Sequence, residues 1–79
     1  MQPLRYQIWR WKAATNPRAI ALPKSYSLDQ GVELMGDFCN IDYDDVVGTL
    51  EEYGRVDAFN PHDDFYYSML PKGEVWVKP

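Results

Sequence analysis

Nothing in this chain can staple its fold. Cys39 is the single cysteine and His62 the single histidine, too few for an intrachain disulfide or a structural zinc site. A chain of 79 residues also buries only about 60% of the surface that its unfolded form exposes. Its stability must therefore come from packing apolar side chains. Three Trp, six Tyr and three Phe supply the means, because aromatic side chains remove the most apolar area per residue. The composition is that of one globular domain, residues 1–79, without internal repeats or low-complexity runs.

The lone cysteine fits a reducing cytosol. No apolar run approaches the ~18–20 residues needed to span a bilayer, and the opening MQPLRYQ lacks the apolar centre of a signal peptide. With Met1 first and an expected strand just before its end, the sequence reads as a complete small gene product of cytoplasmic location.

The net charge of −4 conceals a strong partition. Residues 1–28 carry Arg5, Arg10, Lys12, Arg18 and Lys24 with no acid, a local charge of +5. Residues 29–64 carry eleven acids against Arg55, a local charge of −10. The remaining residues, 65–79, return +1.

Alternation and β-branched or aromatic content predict a strand over residues 4–12, LRYQIWRWK. Its phase is unusual. Leu4, Tyr6 and Ile8 share one face while Trp9 and Trp11 fall out of step, so either a bulge follows Ile8 or both faces are covered. Thr15-Asn16-Pro17 signals a turn, and residues 18–22 can return as a short second strand ended by Pro23. Ser27 with Gln30 has the capping-box spacing, and Leu28, Val32, Met35 and Cys39 follow at helical spacing. Gly31 and Gly36 weaken that helix by roughly 1 kcal/mol each relative to alanine, so it has to lean on tertiary packing. A second helix is predicted over residues 43–53, with Val46, Val47 and Leu50 inward and Gly54 closing it. Residues 55–59 predict a strand and residues 60–64 a loop. Residues 65–70 and 74–78 flank Pro71-Lys72-Gly73 as an expected hairpin. The sum is an α+β domain of order β-β-α-α-β-β-β. Two short helices lie on one face of a small, mostly antiparallel sheet with two hairpins.

The segment NIDYDDVVGTLE, residues 40–51, invites a cation-site reading. Asn40, Asp42, Asp44 and Glu51 fall at the oxygen-ligand positions of an EF-hand loop, with Val47 at its hydrophobic position. The sixth position, which requires glycine, is Asp45, and the chain has no second loop to pair with. The same letters describe a helix start, with Asp42 or Asp44 as cap and first-turn acids facing the positive end of the helix dipole. The helix reading is the one expected, and no metal site.

Other chemistries find little support. Arg5, Arg10 and Lys12 beside Tyr6, Trp9 and Trp11 suggest a stacking platform for single-stranded nucleic acid. That is the alternative reading of the chain, but direct nucleic-acid binding sits badly with a sequence pI near 4.7. A helix-turn-helix is excluded because the second helix carries Asp44, Asp45, Glu51 and Glu52 and no cation, which phosphates would repel. His62 beside Asp63 and Asp64 lacks a nucleophile at a recognisable motif, and neither a phosphate-binding loop nor a dinucleotide fingerprint is present. No catalytic residue, enzymatic activity or cofactor is expected.

What remains is a surface. If both helices turn their polar sides outward, Asp29, Glu33, Asp37, Asp44, Asp45, Glu51 and Glu52 form one acidic face, extended by Asp57, Asp63 and Asp64. Tyr43, Tyr53, Tyr66, Tyr67 and Trp76 are more aromatics than so small a core readily hides, and Tyr43 and Tyr53 stand among these acids as interface anchors. These acids, interleaved with aromatics in so short a chain, resemble the small acidic inhibitors encoded by phages and mobile elements, of which anti-CRISPR proteins are one group. That group shares no common fold or motif, so the resemblance is one of class. It implies a non-catalytic inhibitor acting in the host-cell cytoplasm. Its partner would be a protein or ribonucleoprotein complex with a Lys/Arg-rich, nucleic-acid-binding surface, engaged without a membrane.

Overall fold

The computed structural model describes residues 4–79. Strands β1 (Tyr6–Trp11), β2 (Ile20–Ala21), β3 (Val56–Asn60) and β4 (Phe65–Pro71) form one antiparallel sheet in the spatial order β2-β1-β4-β3. Helices α1 (Leu28–Cys39) and α2 (Tyr43–Tyr53) lie between β2 and β3 in the chain. α1 packs on β1, β3 and β4, and α2 packs on α1 and β3, so the α+β architecture with both helices on one side is realised. None of the described helices is long and apolar enough to cross a membrane.

Local chemistry sets the helix limits. The Ser27 side chain accepts from the Gln30 amide at 3.2 Å while the Gln30 side chain accepts from the Ser27 amide at 3.1 Å, closing the capping box that starts α1. Asn40, in the left-handed region with φ 55°, ends α1, and Gly54 with φ 77° ends α2. Asp42 occupies the N-cap of α2 in extended geometry, but its side chain makes no capping hydrogen bond.

Strand phase resolves the problem posed by the first strand. Pairing from Tyr6↔Pro71 to Trp11↔Tyr66 runs without interruption, so no bulge intervenes. Both faces are covered instead. On the helical face, Tyr6, Ile8, Val56, Tyr67 and Met69 pack with Val32, Met35, Cys39 and Val46 into the main core. Gly31 matters here, since a Cβ at that position would meet Met69 Cε at 2.4 Å; the missing side chain lets α1 approach the sheet closely. On the opposite face, Trp11 and Leu70 are buried outside that cluster, forming a second, thinner apolar layer.

The strand expected over residues 74–78 does not form. β4 already has β1 on one side and β3 on the other, so no ladder position remains for a hairpin partner after Pro71. The hairpin that does form joins β3 to β4 through residues 61–64, with Asp64 at φ 64°. Residues 74–79 have no regular structure and lie against the outer face, where Trp76 sits 5.2 Å from Trp11.

Candidate functional site

Helical spacing puts Asp29, Glu33 and Asp37 on one stripe of α1, at successive fourth positions, and all three are exposed. The α2 carboxylates Asp44, Asp45, Glu51 and Glu52 are exposed as well. The two sets are joined where the Tyr43 hydroxyl donates to Asp29 Oδ1 at 3.3 Å. The Asp29 charge raises the Tyr43 hydroxyl above its ordinary value, with a lesser push from Asp44. Tyr43 and Tyr53 are 52% and 70% exposed, so two aromatic rings stand in solvent among the seven carboxylates.

The cations of the opening segment do not consume these charges. Among the described residues the single ion pair is Arg55–Asp57. Arg5 is turned to Ser25, donating from Nη2 to its carbonyl oxygen at 2.8 Å. Arg10 and Lys12 sit over the Phe65 ring at 4.5 and 4.8 Å. The α1 stripe is nevertheless flanked. A groove of about 440 Å³ brings Arg5 and Lys24 alongside Glu33 and Asp37, without an ion pair. The α2 carboxylates have no such flank in that groove, whose lining comes from Arg5 just before β1, residues 24–26 and α1.

Helix polarity makes the α2 arrangement unusual. Asp44 and Asp45 lie in the first turn, where the dipole welcomes anions. Glu51 and Glu52 lie in the last turn, where it does not, and neither helix has a base in its last turn. These same residues show why residues 40–51 form no calcium loop. From Tyr43 onward the segment is helix, and Asp44 and Glu51, seven residues apart, are separated along the axis by about 10 Å. Among the described residues no three His, Cys, Asp or Glu side chains converge as a metal site.

The expected extension of the acidic face through Asp57, Asp63 and Asp64 is not continuous. Asp57 belongs to the outer sheet face, where its carboxylate accepts from Arg55 Nε at 3.0 Å and Nη2 at 2.6 Å. Asp63 is held within the β3–β4 loop, accepting from the Tyr67 hydroxyl at 2.5 Å and the Phe65 amide at 2.9 Å. The Tyr67 hydrogen bond lowers the Asp63 carboxyl below its ordinary value. Burial raises the neighbouring Cys39 thiol from 9.0 to about 11, with a further push from Asp63, which leaves a protonated, unreactive sulfur. His62 is exposed and fixed through its amide, which donates to Asn60 Oδ1 at 2.8 Å.

Of the two tryptophans of the stacking platform expected on the first strand, Trp11 is occupied from within. Trp11 is 5% exposed and stacked on Tyr66 at 4.6 Å and 19°, with Trp76 against it. Bases have no access to its ring in this arrangement. Sequence reasoning missed the polar cluster beside it. Ser68, fully buried, accepts from Trp11 Nε1 at 2.8 Å and Trp76 Nε1 at 3.1 Å and donates to Asp57 Oδ1. Only the β3–β4 register, which sets Asp57 opposite Ser68, reveals it.

In comparisons with known proteins, this chain matches no family model, no curated protein and no solved structure.

Proposed function

We propose that this chain is a non-catalytic inhibitor whose acidic helical face docks on the Lys/Arg-rich, nucleic-acid-binding surface of a larger complex, in the way of anti-CRISPR-like proteins of phages. The reading rests chiefly on Glu51 and Glu52. They are exposed, form no ion pair among the described residues, and occupy the negative end of α2, where each costs a few tenths to 1 kcal/mol. Folding gains nothing from carboxylates placed there. A cationic partner does, because concentrated like charge speeds encounter and rejects wrong surfaces. Tyr43 and Tyr53 supply the apolar contacts that a purely electrostatic encounter lacks. The site of action on this reading is the cytoplasm of the host cell.

The test starts with capture of partners on the immobilised chain from a host lysate at low salt. It continues with association rates on the recovered complex. The on-rate is expected to fall steeply with rising ionic strength. Reversal of Asp44, Asp45, Glu51 and Glu52 to lysine is expected to abolish capture while the circular dichroism spectrum is kept. Wild-type association by that quadruple variant refutes the reading.

A further inference from the structure

The outer sheet face is closed by a segment that takes no part in the sheet. Residues 74–79 have no regular structure and belong to no ladder, and four contacts hold them. The Trp76 indole rests on Trp11 and donates to Ser68 Oγ at 3.1 Å. Arg55 Nη1 donates to the Val77 carbonyl at 2.8 Å, and its guanidinium lies 6.0 Å from the Trp76 ring. On either side of the indole, Val75 and Val77 are 79% and 63% exposed. The segment leaves the sheet at a turn in which Gly73 has φ 98° and the Glu74 amide donates to the Pro71 carbonyl at 3.2 Å.

We propose that residues 74–79 form a latch that opens while the rest of the domain stays folded. Two features separate a latch from an ordinary packed terminus. Opening forfeits one half-buried indole and a few hydrogen bonds, whereas global unfolding forfeits both apolar layers, so the two events differ widely in free energy. Opening also strands no buried polar group. Ser68 keeps Trp11 as donor and Asp57 as acceptor, and Arg55 keeps both of its bonds to Asp57. The seat is therefore satisfied with or without the indole. Release uncovers the ring face of Trp11 and joins it to Tyr66 and the 40%-exposed Phe59. The result is an aromatic row across β1, β4 and β3, masked when closed and available when open.

Hydrogen exchange of the indole N–H groups in the full chain, followed by nuclear magnetic resonance at increasing denaturant, tests this. The Trp76 indole N–H is expected to exchange at a rate almost independent of low denaturant. Amides of the β1–β4 ladder should show the full slope of global unfolding. A Trp76 N–H with that same global slope overturns the proposal. In a second measurement, Trp76→Ala is expected to fold, to show several-fold stronger quenching of its remaining tryptophans by acrylamide, and to regain protection when free indole is added. Failure of Trp76→Ala to fold equally overturns the proposal, since a latch is dispensable to the domain it closes.

Discussion

The two faces of this molecule treat charge in opposite ways. On the outer sheet face, Asp57 is a quarter exposed or less, is bonded twice to Arg55, and shares Ser68 with two indoles. On the helical face, seven carboxylates stand in water, and the α2 set forms no ion pair among the described residues. The first arrangement contributes to stability through geometry, because Asp57, Arg55 and Ser68 partner one another out of water. The second contributes little, because exposed charges interact weakly with the fold, and Glu51 and Glu52 stand at the helix end where the dipole disfavours them. On the proposed function, the carboxylates of the helical face serve a partner rather than the fold.

Removing one carboxylate from each face sharpens that contrast. Asp57→Ala leaves the Arg55 guanidinium, 17% exposed, without its anion, and is expected to cost about 2–3 kcal/mol in denaturant unfolding. Glu52→Ala is expected to change stability by less than about 0.5 kcal/mol. Equal costs at the two sites would break the distinction between the faces.

The sequence was readable where local chemistry decides and opaque where register decides. Ser27, Gln30, Asn40 and Gly54 act on their own few residues, so both helices and the outward placement of their acids followed from spacing. Pro71-Lys72-Gly73 carries an equally local turn signal and the turn forms, but the strand expected after it finds no place because β1 and β3 occupy both sides of β4. Asp57 could be assigned to neither face until β3 was registered on β4, for a shift of one residue exchanges the faces. Trp76 was harder still. Its seat depends on a segment outside any periodic element.

Glycine substitutions compare the buried side of the helices with their open side. At Gly31 an added methyl meets the terminal carbon of Met69, which is fully buried and has no room to swing away. Gly31→Ala is therefore expected to destabilise by about 1–2 kcal/mol, the helix-propensity gain offsetting only part of the overpacking. Gly48 has nothing within 4 Å of the same construction, and Gly48→Ala is expected to stabilise by about 1 kcal/mol. Thermal midpoints moving in opposite directions confirm which side of each helix is committed to the core.

Titration separates the alkaline limb of stability from the acid limb. Burial raises Cys39 from 9.0 to about 11, and burial with the Asp63 hydrogen bond raises Tyr67. Groups raised on folding contribute fully below their unfolded values and lose that contribution as pH climbs through the folded ones. Stability is thus expected to decline from about pH 9 to 11 as Cys39 ionises first in the unfolded chain. Asp63 is lowered on folding, so its contribution is present above 3.8 and is lost as pH falls through its folded value. Cys39→Ala is expected to flatten the alkaline limb and leave the acid limb unchanged; an unchanged alkaline slope in that variant rules out thiol burial as its source.

The smallest effect separates the faces most cleanly. Glu51→Lys with Glu52→Lys replaces two anions at the negative end of α2 by cations, which the dipole favours there. No described ion pair is lost, because neither glutamate makes one. The double variant is expected to be more stable by about 0.5–1 kcal/mol and, on the proposed function, to associate more slowly with its cationic partner. Opposite signs for the two quantities are what a binding surface held against the preference of the fold must give. A variant that loses stability shows that the fold itself had a use for these carboxylates. One that gains stability and keeps wild-type association shows that their charge serves neither folding nor recognition.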